Sequence, residues 1–385
     1  MHVASLQDQL APRLSTFIDD LRLLTGIDCG THTKTGVDRV GAWVQARCRA
    51  NGWTVQVHAR TRGGDIVEAI VPGTGSRRVL LVAHMDTVYP DGTAAARPLH
   101  EEGDRLIGPG SCDMKAGLLA GIYAVEALQA LKQTPWDQVV LLFTADEEIG
   151  SPESRDLIQE RARGCEASLV LEAGRASGAI VGSRKGVRDY LMTVHGRSAH
   201  AGVEPARGRN ALLELAHKIV ALQALNGTVP GASVNVGVAR GGTATNVVPD
   251  RAEAQVDVRG VQQADLDAMD ARIREILAVP TVPDTTIEVR QRNGFPPMPR
   301  TATTDRMVAL AQAVARDLGF SPDAVATGGA SDASLVAGIG KPVLDGLGPC
   351  GGDAHSPTEW VATASIVPRT AMLGGMIVRI AAEGV

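Results

Sequence analysis

The sequence predicts an α/β protein built on a doubly wound, mostly parallel sheet, with a smaller ferredoxin-like domain inserted into it. Three observations lead to this prediction. Early in the chain, continuous apolar runs alternate with segments of helical periodicity. Near Gly186 the pattern changes to strands in which apolar and polar residues alternate, and the Pro-rich residues 295–299 mark the return to the first pattern. The length of 385 residues also favours two domains, because a single core rarely grows that large.

The larger domain is predicted to comprise residues 1–184 and 297–385. Apolar residues recur at helical spacing in 6–24 and 40–48, and residues 54–57 alternate as a strand does. Residues 79–83 form a continuous apolar run, which is typical of a strand buried on both faces of a parallel sheet. The further predicted elements are helix 116–131, strand 138–144, helix 154–163, strand 168–172 and helix 366–382.

The inserted domain is predicted to comprise residues 185–296. Its predicted elements are strand 189–195, helix 210–225, strands 233–238 and 252–259, helix 264–277 and strand 286–290. This βαββαβ order is the ferredoxin-like plan.

Composition excludes several classes of function. The net charge of −5 and an aromatic content of 3% argue against nucleic-acid binding, and no apolar run approaches the ~20 residues that span a bilayer. The five cysteines are scattered without a CxxC pair, which suits reduced thiols. Residues 1–8 show no leader pattern, so a cytoplasmic location is expected, although a processed exported form would look the same.

Acidic and histidine residues follow the predicted buried strands, where open α/β sheets bind their ligands. They are His84, Asp86, Asp113, Glu147, Glu148 and Glu172, joined by His355 on a Gly-rich loop. Carboxylates that converge in one cleft cannot be buried without compensating charge, and two divalent cations would supply it. Imidazole and carboxylate ligands suit zinc, and one carboxylate can bridge two metals.

Each residue alone also has a structural explanation. A histidine at a strand end is often structural, Asp113 could cap the helix that follows, and a Glu-Glu pair is usually a solvated surface. The combination at successive strand ends favours a metal site over these explanations.

Five motifs surround these residues or follow them: His84-Met-Asp-Thr-Val-Tyr, Gly108-Pro-Gly-x-x-Asp-Met-Lys, Thr144-x-Asp-Glu-Glu-x-Gly-Ser, Leu171-Glu and Ser198-Ala-His-Ala-Gly. They closely resemble the zinc amidohydrolase and peptidase family that includes acetylornithine deacetylase, succinyl-diaminopimelate desuccinylase and the folate-cleaving glutamate carboxypeptidases. The likeness is strongest to the glutamate carboxypeptidases. It rests on Arg155-Asp-Leu-Ile-Gln-Glu, Asn246-Val-Val-Pro, Asp257-Val-Arg and Gly328-Gly-Ala-Ser-Asp-Ala.

The resemblance implies two zinc ions per subunit, with cobalt or manganese able to replace them. One zinc would be bound by His84 and Glu172 and the other by Glu148 and His355, with Asp113 bridging. Two catalytic residues are also implied: Asp86 would orient His84, and Glu147 would act as general base. A cis peptide bond after Asp113 is implied as well.

The inserted domain is implied to supply His200, which would donate to the developing oxyanion, often from the partner subunit of a homodimer formed through this domain. Asn246 and Arg259 would bind the substrate carboxylate, and the loop with Gly328 and Gly329 would line the same pocket. Without the resemblance, a structural role in a turn is the preferred interpretation of His200, and Arg259 is equally well explained as a solvated strand residue.

The predicted function is therefore hydrolysis of an amide bond next to a free carboxylate in a small N-acyl amino acid or peptide, preferably with release of glutamate. No nucleic-acid or membrane partner is expected. Two alternatives stay open: a biosynthetic N-acyl deacylase, such as one acting on acetylornithine, and a non-catalytic amino-acid-binding dimer. The presence of Glu147 argues against the second, because a binding protein needs no general base.

Overall fold

The computed structural model of this chain describes residues 4–385. The expectation that no leader is present used residues 1–8, and residues 1–3 of that segment lie outside the described residues. The chain divides into two compact units. The first comprises Met1–Ser183, Arg300–Thr327 and Ser331–Val385, and the second comprises Arg184–Pro299 with Gly328–Ala330.

The strands are numbered in chain order. Those in residues 4–385 are β1 (Thr54–His58), β2 (Ile66–Pro72), β3 (Arg78–His84), β4 (His100–Glu102), β5 (Arg105–Ile107), β6 (Gln138–Thr144), β7 (Ala167–Val170), β8 (Ile180–Arg184), β9 (Gly186–His195), β10 (Ser233–Gly241), β11 (Arg251–Gly260), β12 (Thr286–Phe295), β13 (Ala324–Thr327), β14 (Val343–Leu344), β15 (Gly351–Gly352) and β16 (Trp360–Ala362).

The α-helices are numbered in the same way. Those in residues 4–385 are α1 (Ala4–Leu10), α2 (Leu14–Thr25), α3 (Lys34–Ala50), α4 (Thr93–Ala96), α5 (Ala116–Ala130), α6 (Arg155–Arg163), α7 (Ala211–Gln223), α8 (Gln263–Ala278), α9 (Ala302–Asp317), α10 (Asp332–Ala337) and α11 (Thr363–Glu383). Helix α3 begins six residues before the predicted 40–48 segment.

The first unit contains a six-stranded sheet in the order β1-β2-β6-β3-β7-β14. Strand β3 runs parallel to β6 and to β7, and β14 runs parallel to β7. Strands β1 and β2 are added in antiparallel orientation at the β6 edge. The mostly parallel α/β sheet predicted from the apolar runs is therefore confirmed.

Strand β2 was missing from the sequence-based prediction. Its apolar run is interrupted by Glu68, which looks like a surface residue in sequence but is only 1% exposed. Arg161 donates two hydrogen bonds to this carboxylate, and the His58 ring lies 2.9 Å from it. The charge is thus compensated by partners that are distant in sequence, and the strand can be buried.

Helices α5 and α11 pack against each other in the main core. Helix α5 is buried along almost its whole length, which its Ala, Gly and Leu residues permit. Helix α11 is long and apolar enough to cross a bilayer, which the sequence analysis did not anticipate, but 67% of its apolar window is buried inside the fold. It is therefore explained as a core helix.

The second unit has the order β9-α7-β10-β11-α8-β12. Its four strands form an antiparallel sheet in the order β10-β11-β9-β12, with the first and third strands of the motif at the centre. Residues of the strands and both helices form a separate hydrophobic core, with Tyr190, Met192, Leu215 and Met269 among its members. The predicted ferredoxin-like domain is confirmed.

Candidate metal centre

Three neighbouring parallel strands carry the acidic and histidine residues to one edge of the sheet. His84 is the last residue of β3, and Glu172 follows the end of β7 by two residues. Glu147 and Glu148 lie in a short 3-10 turn just after β6. Because the carboxyl ends of parallel neighbours meet at one sheet edge, these side chains converge.

Asp113 reaches the same edge from the loop that precedes α5. Gly110 in this loop has φ of 69°, a conformation that glycine adopts readily. The peptide bond between Asp113 and Met114 is cis, as the resemblance implied. Helix α5 approaches β7 so closely that a Cβ on Gly117 would lie 1.8 Å from the backbone oxygen of Leu171.

The first group of potential metal ligands consists of His84, Asp113 and Glu172. The Nε2 atom of His84 lies 2.9 Å from Asp113 Oδ1 and 3.7 Å from Glu172 Oε1. His84 is buried, whereas the side chains of Asp113 and Glu172 are 17% and 12% exposed. The group is therefore open to a small ligand on its carboxylate side.

The second group consists of Asp113, Glu148 and His355. The Nε2 atom of His355 lies 3.1 Å from Asp113 Oδ2 and 3.2 Å from Glu148 Oε2. Asp113 is thus shared by the two groups, with one oxygen directed to each histidine. This is the arrangement expected of a carboxylate that bridges two metals.

Glu147 belongs to neither group. Glu147–Ile149 forms a 3-10 turn directly after β6. Neighbouring side chains on such a turn diverge by about 120°, since it has ~3 residues per turn. Glu147 and its neighbour Glu148 therefore point in different directions.

Asp86 supports the site in two ways. The ring nitrogen Nδ1 of His84 lies 2.9 Å from the backbone oxygen of Asp86 and 3.4 Å from its Oδ1 atom, so the backbone is the nearer acceptor. The carboxylate of Asp86 accepts hydrogen bonds from Thr31 and from the backbone N–H groups of Glu147 and Glu148. Asp86 therefore orients the ring and also fixes the acidic turn.

The crowded charges shift the protonation of the site. Hydrogen bonds to Asp113 and Glu148 raise the pKa of His355 to about 10. Burial lowers the pKa of His84, but contacts with Asp113 and Asp86 raise it on balance. Burial, together with the negative charges of Glu172 and Glu148, raises the pKa of Glu147.

The donor set fits divalent metal ions. It consists of carboxylate oxygens and imidazole nitrogens, the ligands preferred by zinc and its neighbours in the first transition row. The Oε1 atom of Glu148 is buried and has no hydrogen-bond partner among residues 4–385. A carboxylate oxygen can only accept, so this buried atom requires a donor or a cation.

His200 and Asn246 lie close together within the second unit. His200 is exposed, and its segment pairs with the Asn246 segment through a bridge to Val247. The Nδ1 atom of His200 accepts hydrogen bonds from the backbone N–H groups of Gly202 and Val203. The ring proton must therefore be on Nε2, which makes that atom a hydrogen-bond donor.

Arg259 also lies in the second unit. Its guanidinium makes two parallel bonds to Asp257, both 2.9 Å long, and its Nη1 donates to the backbone oxygen of Gly328 at 2.6 Å. Gly329 belongs to the same loop, and its backbone oxygen accepts from Arg184 at 3.1 Å. The structure thus brings Arg259, Gly328 and Gly329 together.

Two buried carboxylates near the centre were not predicted from sequence. Asp332 accepts hydrogen bonds from Thr144 and Ser151, which flank the acidic turn, and burial raises its pKa to about 6. Glu359 accepts bonds from the backbone of the Asp113 loop. The available sequence signals were the position of Glu359 four residues after His355 and the position of Asp332 in the loop that begins at Gly328.

Comparisons with known proteins identify the family of the chain. A family model described as peptidase family M20/M25/M40 matches residues 80–379. Carboxypeptidase G2 from Pseudomonas sp. (strain RS-16) is 29% identical over 366 residues, which are 94% of this chain and 88% of that protein. A succinyl-diaminopimelate desuccinylase from Bordetella parapertussis is 26% identical over 386 residues, covering 95% of this chain and 94% of that protein.

Solved structures share the fold. Aminopeptidase PepT from Bacillus cereus has a TM-score of 0.78 at 22% identity, covering 96% of this chain and 99% of that chain. An M20 family metallo-carboxypeptidase from Sulfolobus solfataricus has a TM-score of 0.75 at 17% identity, covering 94% and 98%. Because the family model spans most of the sequence, the chain belongs to peptidase family M20/M25/M40, whose members are metallopeptidases that typically depend on zinc.

Proposed function

We propose that this metallopeptidase binds two zinc ions and hydrolyses an amide bond next to a free carboxylate, preferably releasing glutamate. The observation that carries the two-metal proposal is the orientation of Asp113, whose two oxygens lie 2.9 Å from His84 and 3.1 Å from His355. Glu147 belongs to neither group but is close enough to His84, Glu172 and Glu148 to interact with their charges, so its carboxylate is available as a general base.

In this proposal the metals, when bound, lower the pKa of a water molecule and polarise the scissile carbonyl. Glu147 accepts a proton from the attacking water and later delivers it to the leaving nitrogen. Asp86 fixes the backbone of the acidic turn, so that Glu147 keeps its position during the transfer.

His200 is proposed to stabilise the oxyanion that develops on the carbonyl oxygen. The bonds from Gly202 and Val203 to Nδ1 hold the proton on Nε2, so the ring is prepared to donate. Such a donor is effective because it is oriented before the reaction begins.

Arg259 and Asn246 are proposed to bind the carboxylate of the substrate. Three of the five N–H groups of Arg259 are used by Asp257 and Gly328. Two remain for a ligand, and a planar guanidinium suits a carboxylate. The similarity to carboxypeptidase G2 supports a carboxypeptidase, and the preference for glutamate rests on the resemblance of the Asn246-Val-Val-Pro and Asp257-Val-Arg motifs to the glutamate carboxypeptidases.

Metal analysis combined with one substitution tests the catalytic proposal. Wild type should bind two zinc ions per chain, and Glu147→Gln should retain both while kcat falls at least about a hundredfold. Glu160→Gln, a surface change on α6, is the control and should behave as wild type. Loss of metal in Glu147→Gln, or undiminished kcat, would contradict the assigned role.

A substrate panel tests the specificity. Release of amino acid should be measured from N-acyl-Glu, N-acyl-Asp, N-acyl-Leu and N-acyl-Arg compounds, and the glutamate compound should have the highest kcat/KM. The second candidate, a biosynthetic N-acyl deacylase, is favoured by the similarity to succinyl-diaminopimelate desuccinylase. Faster turnover of acetylornithine or succinyl-diaminopimelate than of N-acyl-Glu would favour that candidate.

A homodimer formed through the second unit is also proposed. Strand β10 lies at the edge of its sheet, and the neighbouring helix α7 exposes Leu213 and Val220, the latter 72% exposed. Unpaired edges and exposed apolar side chains favour association. Sedimentation should give a dimer mass, and Val220→Glu should shift it toward the monomer. A monomeric wild type at micromolar concentration would contradict the proposal.

A further inference from the structure

Glu359 is a buried carboxylate that lies outside both metal groups and has no part in the proposed chemistry. It immediately precedes β16 and is only 1% exposed. It follows His355 by four residues, yet its side chain contacts the loop that carries Asp113. The segment that carries Glu359 and the loop that carries Asp113 are about 250 residues apart in sequence, so this contact connects distant parts of the chain.

The two oxygens of Glu359 accept four hydrogen bonds. Oε1 accepts from the backbone N–H groups of Cys112 and Asp113, both at 2.9 Å. Oε2 accepts from the backbone N–H of Gly110 at 2.9 Å and from the hydroxyl of Tyr89 at 2.7 Å. Bonds to an ionised carboxylate are roughly twice as strong as neutral ones, so together they hold the loop firmly.

We propose that Glu359 is the positioning residue for the bridging carboxylate Asp113. This inference rests on the proposed two-metal function. One of its bonds fixes the backbone of Asp113 itself, so the Asp113 side chain is held where one oxygen lies near each histidine and would be able to bind one metal on each side. The Tyr89 hydroxyl also lies 2.9 Å from the backbone oxygen of Ser356, the residue after His355. Because the hydroxyl has one proton, Tyr89 shares it between Glu359 and Ser356, and this contact connects the Glu359 side chain with the residue after His355.

A carboxylate is required for this arrangement. In Glu359→Gln one oxygen becomes an NH2 group, which donates instead of accepting. At the Oε1 position it would face two backbone N–H groups, and at the Oε2 position it would face the N–H of Gly110. The direction of a backbone N–H group is fixed by the chain. In either orientation of the new side-chain amide, at least one buried N–H group therefore loses its acceptor.

Hydrogen exchange of the full-length, metal-free chain tests the contact directly. In Glu359→Gln the amides of Gly110, Cys112 and Asp113 should exchange at least about tenfold faster than in wild type. Glu68→Gln is the matched control, because Glu68 is equally buried at 1% exposure but is bonded to Arg161 and His58. That control should leave the exchange of residues 110–113 unchanged.

Zinc affinity, measured by competition with a chromophoric chelator, gives the second readout. It should fall about 10–100-fold in Glu359→Gln and stay at the wild-type value in Glu68→Gln. The cobalt-substituted enzyme should show a changed absorption spectrum only in the Glu359 variant. If Glu359→Gln does not fold, Glu359→Asp replaces it, because its shorter side chain also withdraws from the loop and should give the same changes.

Wild-type exchange at residues 110–113 in the Glu359 variants, or equal zinc affinity, would overturn the proposal. Failure of the two-metal function is a separate result, since it would appear as absent zinc binding in wild type. The exchange experiment needs no metal and therefore still decides whether Glu359 holds the loop.

Discussion

His355 shows how single residues of the centre respond to their surroundings. Its Nε2 atom lies between two carboxylates, and this raises its pKa to about 10. Below that pH the ring is protonated in the metal-free protein and partly neutralises Asp113 and Glu148. A metal ion needs the neutral ring, so the proton and the metal compete for the same atom.

Zinc affinity should therefore increase with pH. His355 must lose a proton on binding, so between pH 6 and 8 the apparent affinity should rise at least about tenfold per pH unit. Calorimetry in buffers with different ionisation enthalpies should show the released proton. An affinity independent of pH, after correction for the competing chelator, would contradict this prediction.

Arg259 should govern substrate affinity more than turnover. In Arg259→Lys the charge remains, but the bonds to Asp257 and Gly328 cannot all be made, so KM for a carboxylate substrate should rise about 10–100-fold. Steady-state kinetics would measure this change. Arg274→Lys, on an exposed face of α8, should leave KM unchanged. A similar KM for both variants would remove Arg259 from the carboxylate site.

Residue identities in the centre could be predicted from sequence, because His84, Glu148 and Glu172 follow apolar runs that indicate buried strands, and Asp113 lies just before a predicted helix. The supporting contacts could not. Glu359 and Asp332 each act on loops that are remote in sequence, and their positions near His355 and in the 328–333 loop do not reveal those partners. The tautomer of His200 likewise depends on two backbone N–H groups whose direction only the folded turn defines.

At the scale of elements, the site depends on the order β6-β3-β7 and on the close approach of α5. The strands were predictable because both of their faces are buried and their sequences are continuously apolar. Strand β2 could not be predicted in this way, because Glu68 interrupts its apolar run. The 3-10 turn after β6 was also missed, since three residues give too short a window for periodicity.

Gly117→Ala should disturb both stability and metal binding. The new Cβ would lie 1.8 Å from the backbone oxygen of Leu171, which directly precedes Glu172. Helix α5 must then shift, which should cost about 1–3 kcal/mol in the free energy of unfolding and weaken zinc binding. Denaturant unfolding and chelator competition would measure these changes.

Gly164→Ala is the control for that substitution, because its Cβ would meet only Arg161 O at 3.6 Å. Its unfolding free energy should stay within about 0.5 kcal/mol of wild type. Equal effects at Gly117 and Gly164 would show that the packing of α5 does not support the Glu172 segment.

At the scale of the whole molecule, the predicted metal ligands all belong to the first unit, whereas His200, Asn246 and Arg259 belong to the second. The change near Gly186 from continuous apolar runs to alternating strands was sufficient to predict an inserted domain. The assignment of Gly328–Ala330 to the second unit was not evident from sequence pattern, because these residues follow the insertion by about 30 positions, although the resemblance implied that this loop lies in the same pocket as Arg259.

Removal of the metals should destabilise the first unit selectively. Binding to the folded state alone adds about 4 kcal/mol at a metal concentration of ~1,000 Kd. Chelation should therefore lower its Tm by roughly 5–15 °C, whereas the transition of the second unit should not move. Differential scanning calorimetry with and without chelator measures both transitions. An unchanged thermogram would contradict a metal centre in the first unit.

The backbone pairing of Arg184 with Met298 bears on how the inserted domain can be exchanged during evolution. Each residue donates its N–H to the carbonyl of the other, at 2.9 and 3.1 Å, so the insertion enters and leaves through adjacent backbone positions. A module with neighbouring ends can be exchanged by recombination without breaking the host domain. Substrate choice could then diversify while the hydrolytic residues stay constant, provided that the loop Gly328–Ala330 changes together with the exchanged module.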